Sequence, residues 1–317
     1  MLDNMHKWLY NGFTSKNGGN TNTTKRRFPK MKKILSLVLT AALLCCSLLA
    51  LASCNTADAD VVKVIDINLS EEEYAFCVNK ADETLKTSVN AFLEKIQTNG
   101  KFDEICNNYF GDGTPLKITS ATEDSSKDQL VVATSTGFEP FEMVDQNGNY
   151  SGIDLEIAYY LAEELGKELV IKDMQFEAVV TSVEQGICDI GMAGLSVTPA
   201  RQEVVNFSDS YYNASQVLVV KADDTTFDEC KTAEDVVAIL EALTAETKIG
   251  CQKGTTGEIY IDGDADQEDG YGFTGLNATK QAYDYAALAV TAMVNGTIDY
   301  VIVDNGPAKA IAASMNE

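Results

Sequence analysis

The chain has 317 residues, with 45% hydrophobic and 23% charged, a length that favours two lobes or domains over one core. Its formal net charge is −24, and the first 53 residues conceal part of that, holding eight Lys/Arg against one acid, Asp3. The remainder carries 16 basic and 47 acidic residues, a formal −31, which excludes nucleic acid and anionic lipid as surface partners.

In chain order, residues 1–30 are polar and irregular and contain the only histidine, His6, which suggests an upstream start ahead of Met31. Residues 31–54, "MKKILSLVLTAALLCCSLLALASC", have a positive start (Lys32, Lys33), an apolar run and small residues before a cysteine. An uncleaved membrane anchor is the plainer reading of such a run. Leu51-Ala52-Ser53-Cys54 resembles the lipobox of bacterial lipoproteins, which implies that Cys54 becomes the lipidated mature N-terminus and 54–60 a tether. Without His6 the mature chain has no histidine, which excludes Ser-His and Cys-His catalysis. Cys77, Cys106, Cys188, Cys230 and Cys251 are odd in number and lack C-x-x-C spacing, so free thiols are expected, with no zinc and no cofactor.

A strand "VVKVIDI" (61–67) precedes a second, "EEYAFCV" (72–78). Leu85, Val89, Phe92, Leu93 and Ile96 recur at helical spacing, Gly100 stops that helix, and a short aromatic helix follows to Phe110. Residues 116–128 are polar and aperiodic and read as a linker. From Leu130 strands and helices alternate: strand 130–134, helix "DLEIAYYLAEELG", strand "ELVIKD", helix "FEAVVTSVEQG", strand "CDIGMAG", and a short helix opened by Thr198-Pro199. Strand 215–220, helix 232–243, strand "TKIGC", helix 281–293 and strand "DYVIVD" continue the rhythm, which predicts α/β architecture with helix-covered parallel sheets.

The stretches "VVATSTGFEPFE", "GNYSGIDLEIAYYLAEELG", "DIGMAGLSVTPARQEVVNFSDSYY", "IGCQKGTTGEIY" and "DYVIVDNGPAKA" resemble the family 3 extracellular solute-binding proteins of amino-acid ABC importers. That resemblance implies the type II periplasmic-binding-protein-like fold, with two α/β lobes joined by two hinge strands. In the family the last stretch is followed by a strand, a hinge crossing and two terminal helices. Here the chain stops at Glu317, while 61–111 supplies those pieces first, so the order looks circularly permuted. The expected division is 1–53 upstream segment and signal, 61–73 lobe 2 strand, 74–115 hinge and lobe 1 terminal helices, 116–129 linker, 130–217 lobe 1 and 218–317 lobe 2. Hinge strands are expected near Tyr74–Val78 and Val217–Lys221, with Val78 beside Val217. The alternative is that 61–111 is the remnant of a duplicated copy. A monomer is expected, and a domain-swapped dimer would use the same pieces between chains.

A buried α-amino acid needs a partner for its carboxylate and another for its ammonium. The planar fork of Arg201 suits the carboxylate. The resemblance implies that Ser196, Gly194, Thr255 and Thr256 complete the polar cage, that Asp304 takes the ammonium, and that Phe138 and Phe176 sandwich the side chain. Ser135 stands where receptors for lysine or arginine often carry an acid, which argues against a dedicated cationic ligand. Glu139 and Gln252 remain as contacts for a polar one. The expected function is an extracytoplasmic, lipid-anchored binding protein that delivers a free L-amino acid to an ABC permease. A dehydratase-type enzyme on the same fold and a sensory binding protein are the alternatives.

Overall fold

The computed structural model describes residues 59–264 and 270–317. The signal segment and Cys54 lie outside the described residues. No helix among the described residues is long and apolar enough to cross a membrane.

Two five-stranded sheets organise the chain. The first runs in the order Glu168–Asp173, Gln129–Thr134, Ile190–Gly191, Cys77–Asn79, Val205–Phe207. Its first three strands are parallel, and Cys77–Asn79 is antiparallel to both of its neighbours. The second runs Val62–Ile65, Gln216–Lys221, Tyr300–Asp304, Lys248–Gln252, Thr279–Tyr283, antiparallel across its first two pairings and parallel across its last two. Helices cover each sheet, so parallel strands such as Gln129–Thr134 are apolar on both faces.

Helix Glu83–Thr98 shows how the early segment joins the first lobe. Asp82 caps it by accepting from the Leu85 N–H at 2.9 Å. Its buried face is Leu85, Val89, Phe92, Leu93 and Ile96, packed against helix Ile153–Leu165 and strand Cys77–Asn79. Each such side chain contributes about 1.5–3 kcal/mol when fully buried, which outweighs the helix's polar outer face. Glu156 ties the next helix, Lys101–Phe110, to the same lobe by accepting from Tyr109 Oη at 2.7 Å and Asn108 Nδ2 at 3.2 Å.

At the other end of the described chain, strand Val62–Ile65 forms the edge of the second sheet. The Asn316 side chain accepts from Val61 and Val62 N–H at 2.8 and 3.2 Å and donates to the Val62 carbonyl at 2.9 Å. The two ends of the described chain are therefore stitched together beside helix Asn305–Met315.

Four expectations change. The stretch 72–78 is two strands: Glu72–Tyr74 pairs antiparallel with Tyr212–Ala214 between the lobes, while Cys77–Asn79 has entered the first sheet. The hinge thus lies at 72–74 and 212–214, and Val78 and Val217 sit in different sheets. Strand Gln216–Lys221 belongs wholly to the second sheet, which moves the lobe boundary from 217/218 to before Gln216. The helix expected over 281–293 is strand Thr279–Tyr283 followed by helix Ala286–Val294, because parallel pairing with Lys248–Gln252 overrides local propensity. Finally, 116–128 is docked on the first lobe: Ile118 is buried and bridges Tyr150, and Ser120 Oγ accepts from Ile171 N–H at 2.8 Å.

Candidate binding site

The carboxyl ends of the parallel strands in both sheets face each other across the interlobe space, where open α/β sheets place ligands. The lobes touch there. Tyr271 Oη donates to the Val197 carbonyl at 2.9 Å, Gln175 Nε2 to Tyr285 Oη at 3.2 Å, and Arg201 Nη2 to the Gly254 carbonyl at 2.9 Å.

Arg201 projects from the short helix Pro199–Gln202, whose cap Thr198 accepts from the Arg201 N–H at 3.2 Å. The guanidinium lies 5.2 Å from the Phe176 ring centroid and donates from Nη1 to the Ser196 carbonyl at 2.6 Å. Both protein acceptors are neutral carbonyls. Every ion pair among the described residues uses lysine, so this cation has no carboxylate within pairing distance. Burial lowers its pKa, the sign of a charge held out of water without an anion.

The opposite pole is a pair of acids. Asp304 ends strand Tyr300–Asp304 and accepts from Tyr74 Oη at 2.6 Å. Burial, and then the charge of Glu72, push its pKa up to about 7. Glu72 lies in the hinge strand Glu72–Tyr74, with its carboxylate accepting from Ser196 Oγ at 2.7 Å, Ser70 Oγ at 2.7 Å and Gln216 Nε2 at 3.0 Å. Ser196, expected to offer its hydroxyl to a ligand ammonium, is committed to Glu72.

Gly194 has φ +53°, and a Cβ there would stand 2.8 Å from the Phe138 ring, so a side chain is sterically refused beside that wall. Its N–H donates to Asp154 at 2.9 Å, and Asp154 also accepts from Tyr211 Oη at 2.5 Å. Burial raises the Asp154 pKa to about 7. Gly254, φ +72°, meets the first lobe in the same way: a Cβ would stand 2.9 Å from Glu177 Cγ and 3.6 Å from the Phe176 ring. Thr255 precedes helix Thr256–Asp262, and its hydroxyl bonds the Gln252 carbonyl at 2.8 Å and not a ligand-facing group.

Seven buried side-chain oxygens among the described residues lack a partner: Thr134 Oγ1, Ser135 Oγ, both Glu142 oxygens, Gln216 Oε1, Gln252 Oε1 and Thr256 Oγ1. Thr134, Ser135, Gln252 and Thr256 sit at or just beyond the carboxyl ends of parallel strands, and Gln216 is the register partner of Asp304. Burying a polar group without a partner costs about 1–3 kcal/mol, a cost that a donor reaching these oxygens would remove. Glu142 is the extreme case, with its pKa raised well above the carboxylate range by burial and by the charges of Asp154, Asp304 and Asp173.

Arg201, Ser196, Phe176, Gly194, Phe138 and Asp304 are thus linked through direct or one-residue contacts, and Gln252, Thr255 and Thr256 approach through Gly254. Ser135 is buried just past a strand end with its hydroxyl unbonded, and Glu139 is exposed. A cavity of about 790 Å³ opens beside the hinge, lined by Glu72, Tyr74, Phe141, Tyr212 and Asp304 among others; of the expected residues only Asp304 reaches it. Glu72, Tyr74, Gln216, Glu142 and Tyr271 were not foreseen. Glu72 sits in an acidic run, Glu71-Glu72-Glu73, that reads as solvated; only the strand's period of two buries Glu72 and Tyr74 while exposing Glu73.

Residues 130–304 match the bacterial extracellular solute-binding proteins, family 3, and that span is 175 of the 317 residues. The arginine-binding extracellular protein ArtP of Bacillus subtilis (strain 168) is 34% identical over 35% of this chain and 43% of its own length. The arginine-binding periplasmic protein of Mannheimia haemolytica is 27% identical over 42% of this chain and 49% of its own. A probable histidine-binding protein of Campylobacter jejuni is 25% identical over 74% of this chain and 79% of its own. The chain therefore spans less than half the length of the first two relatives. Among solved structures, the ancestral amino acid-binding protein AncCDT-1, a precursor of cyclohexadienyl dehydratase, superposes with a TM-score of 0.49 at 30% identity, over 59% of this chain and 74% of that one.

Proposed function

The chain belongs to the bacterial extracellular solute-binding proteins, family 3, and we propose that it binds a free L-amino acid between its lobes for delivery to an ABC permease. The observation that carries this reading is the separation of unpaired charge. Arg201 offers a guanidinium with no anion, and Glu72 and Asp304 offer carboxylates with no cation. A zwitterion supplies both missing charges at once, and a carboxylate gripped by Arg201 against Gly254 holds the lobes together. Binding, not catalysis, is the role this arrangement supports.

The side chain of the ligand is read as basic. The sequence alone argued against lysine or arginine because Ser135 replaces an acid. The buried Glu142 offers an unpartnered carboxyl beside the Phe138–Phe141 wall from a different position, and relatives are named for binding arginine and histidine. A thermal-shift screen of the twenty amino acids with ornithine and cystine tests this. Arginine, lysine or histidine at 100 times its Kd should add roughly 2.7 kcal/mol of stability. A screen in which only apolar or acidic amino acids shift the transition rejects the basic ligand.

The order of the segments is read as a circular permutation. Residues 61–111 contribute an edge strand to the second sheet, one hinge strand, and a strand and two helices to the first lobe, and Asn316 is bonded to Val61 and Val62. Cutting a helix-to-strand loop and joining the old ends through 116–129 is compatible with termini that lie close together. Cys54 is read as the lipid-bearing mature terminus, tethering a monomer to the outer face of the cell membrane. Mass spectrometry of native protein checks it, and an unmodified Met1 or Met31 terminus rejects it.

A further inference from the structure

The hinge strand brings a second carboxylate to the ammonium pole. Glu72 and Tyr74 share one face of Glu72–Tyr74, and from that face Tyr74 bonds Asp304 while Glu72 bonds Gln216, the register partner of Asp304. Both acids are buried, and both line the same hinge-side cavity. Glu72 also reaches both lobes, with Ser196 on one side and Gln216 on the other. Lys309 at the cavity rim is paired with Asp66 and is not available to either acid.

We propose that Glu72 is a second carboxylate of the ammonium subsite, and that in the empty site Asp304 beside it holds a proton that an arriving ammonium displaces. The proposal rests on the amino-acid reading above and adds a residue and a proton to it. Asp304, buried and facing the charge of Glu72 with no cation paired to it, takes up a proton more readily than a carboxylate in water. Arg201 is bonded to the carbonyls of Ser196 and Gly254 and makes no ion pair with either acid. The other titratable groups facing the pair are Tyr74, Tyr271 and Glu142, none of which brings positive charge at neutral pH. The ammonium therefore enters with its own three protons, the Asp304 proton leaves to solvent, and the ligand's positive charge balances the Asp304 carboxylate. Affinity falls as pH drops, because the proton then competes with the ammonium.

Two measurements on the intact chain test this. In ligand-free protein, 13C NMR of the side-chain carboxyls, assigned with E72Q and D304N, should show Asp304 titrating near neutral pH. In E72Q that titration should move down toward ordinary aspartate. No carboxyl change between pH 6 and 8 in the wild type, or an Asp304 titration unaltered by E72Q, overturns the displaced proton. Calorimetry with arginine near pH 6.5, in two buffers of different ionisation enthalpy, should show up to one proton released per arginine, close to none in E72Q, and affinity weakened about 10- to 100-fold in that variant. Arginine binding without proton release overturns this inference alone. If no amino acid binds while the neutral titration persists, the amino-acid reading falls and takes the ammonium role with it. Should E72Q fail to fold, the two wild-type arms decide the matter.

Discussion

The two lobes use similar architecture for opposite ends of one problem. The first lobe has an aromatic core, in which Tyr74, Phe76, Phe92, Phe138, Phe141 and Tyr211 pack together. Phe138 belongs to that core, while Phe176 packs in a neighbouring cluster with Val179 and Leu195 and lies 5.2 Å from the Arg201 guanidinium. The second lobe packs mainly aliphatic residues such as Val217, Val219, Ala289, Val290 and Val301, and presents Asp304, Gln252 and Thr256 from strand ends. On the proposed function, the difference teaches that neither lobe would be a binding site alone. Each carries a buried polar group whose cost is offset only when the other lobe and a ligand arrive together.

The largest effect should come from breaking the first lobe itself. A chain beginning at residue 128 loses Cys77–Asn79, which lies between Ile190–Gly191 and Val205–Phe207, and loses the helix whose Val89, Phe92 and Ile96 cover helix Ile153–Leu165. It should show no cooperative unfolding transition by circular dichroism; a folded, ligand-binding product would mark 61–111 as a dispensable remnant.

Removing the cation comes next. Arg201→Ala should leave the fold intact and weaken amino-acid binding at least 100-fold, since a desolvated carboxylate left unpaired costs about 3 kcal/mol or more. Unchanged affinity by calorimetry would move the carboxylate elsewhere.

The second lobe's pole gives a prediction of opposite sign for stability and binding. Asp304 has its pKa raised from the usual 3.8 to about 7, so the stability tied to its proton is full below about 4 and is lost as pH rises through about 7. Asp304→Asn should therefore make the ligand-free protein more stable at pH 8, by about 1–3 kcal/mol, and flatten its stability between pH 4 and 7. The same variant should bind the amino acid far more weakly. Denaturant melts at pH 4 and pH 8 with and without ligand separate the two effects.

The smallest change concerns contact between the lobes. Tyr271→Phe deletes one interlobe hydrogen bond to Val197 while keeping the ring stacked on Phe273. A neutral hydrogen bond is worth about 0.5–1.5 kcal/mol, so affinity should fall about 2- to 10-fold, expressed mainly as faster ligand release. An unaltered release rate in stopped-flow fluorescence would mean that the contact does not hold the lobes together.

Much of this was legible in the residues themselves. The alternation of apolar strands and amphipathic helices specified α/β lobes, because periods of 2 and 3.6 are imposed by backbone geometry within a few residues. Thr198-Pro199 specified the short helix beneath Arg201 through local capping, and motif resemblance singled out Arg201, Asp304, Phe138 and Phe176 as candidates. What the tertiary structure decided is where distant segments meet. Residues 72–78 divide between a hinge strand and a sheet strand because their partners, Tyr212–Ala214 and Val205–Phe207, lie more than 120 residues away. Residues 279–283 are a strand only because Lys248–Gln252 offers a parallel edge. Glu72 looked like one solvated acid among three, and Glu142 like a polar residue after a Pro-Phe pair. Both are buried, Glu72 among the hydroxyls of Ser70 and Ser196 and Glu142 with no hydrogen-bond partner, and burial is a property of the assembled lobes that no local stretch of sequence contains.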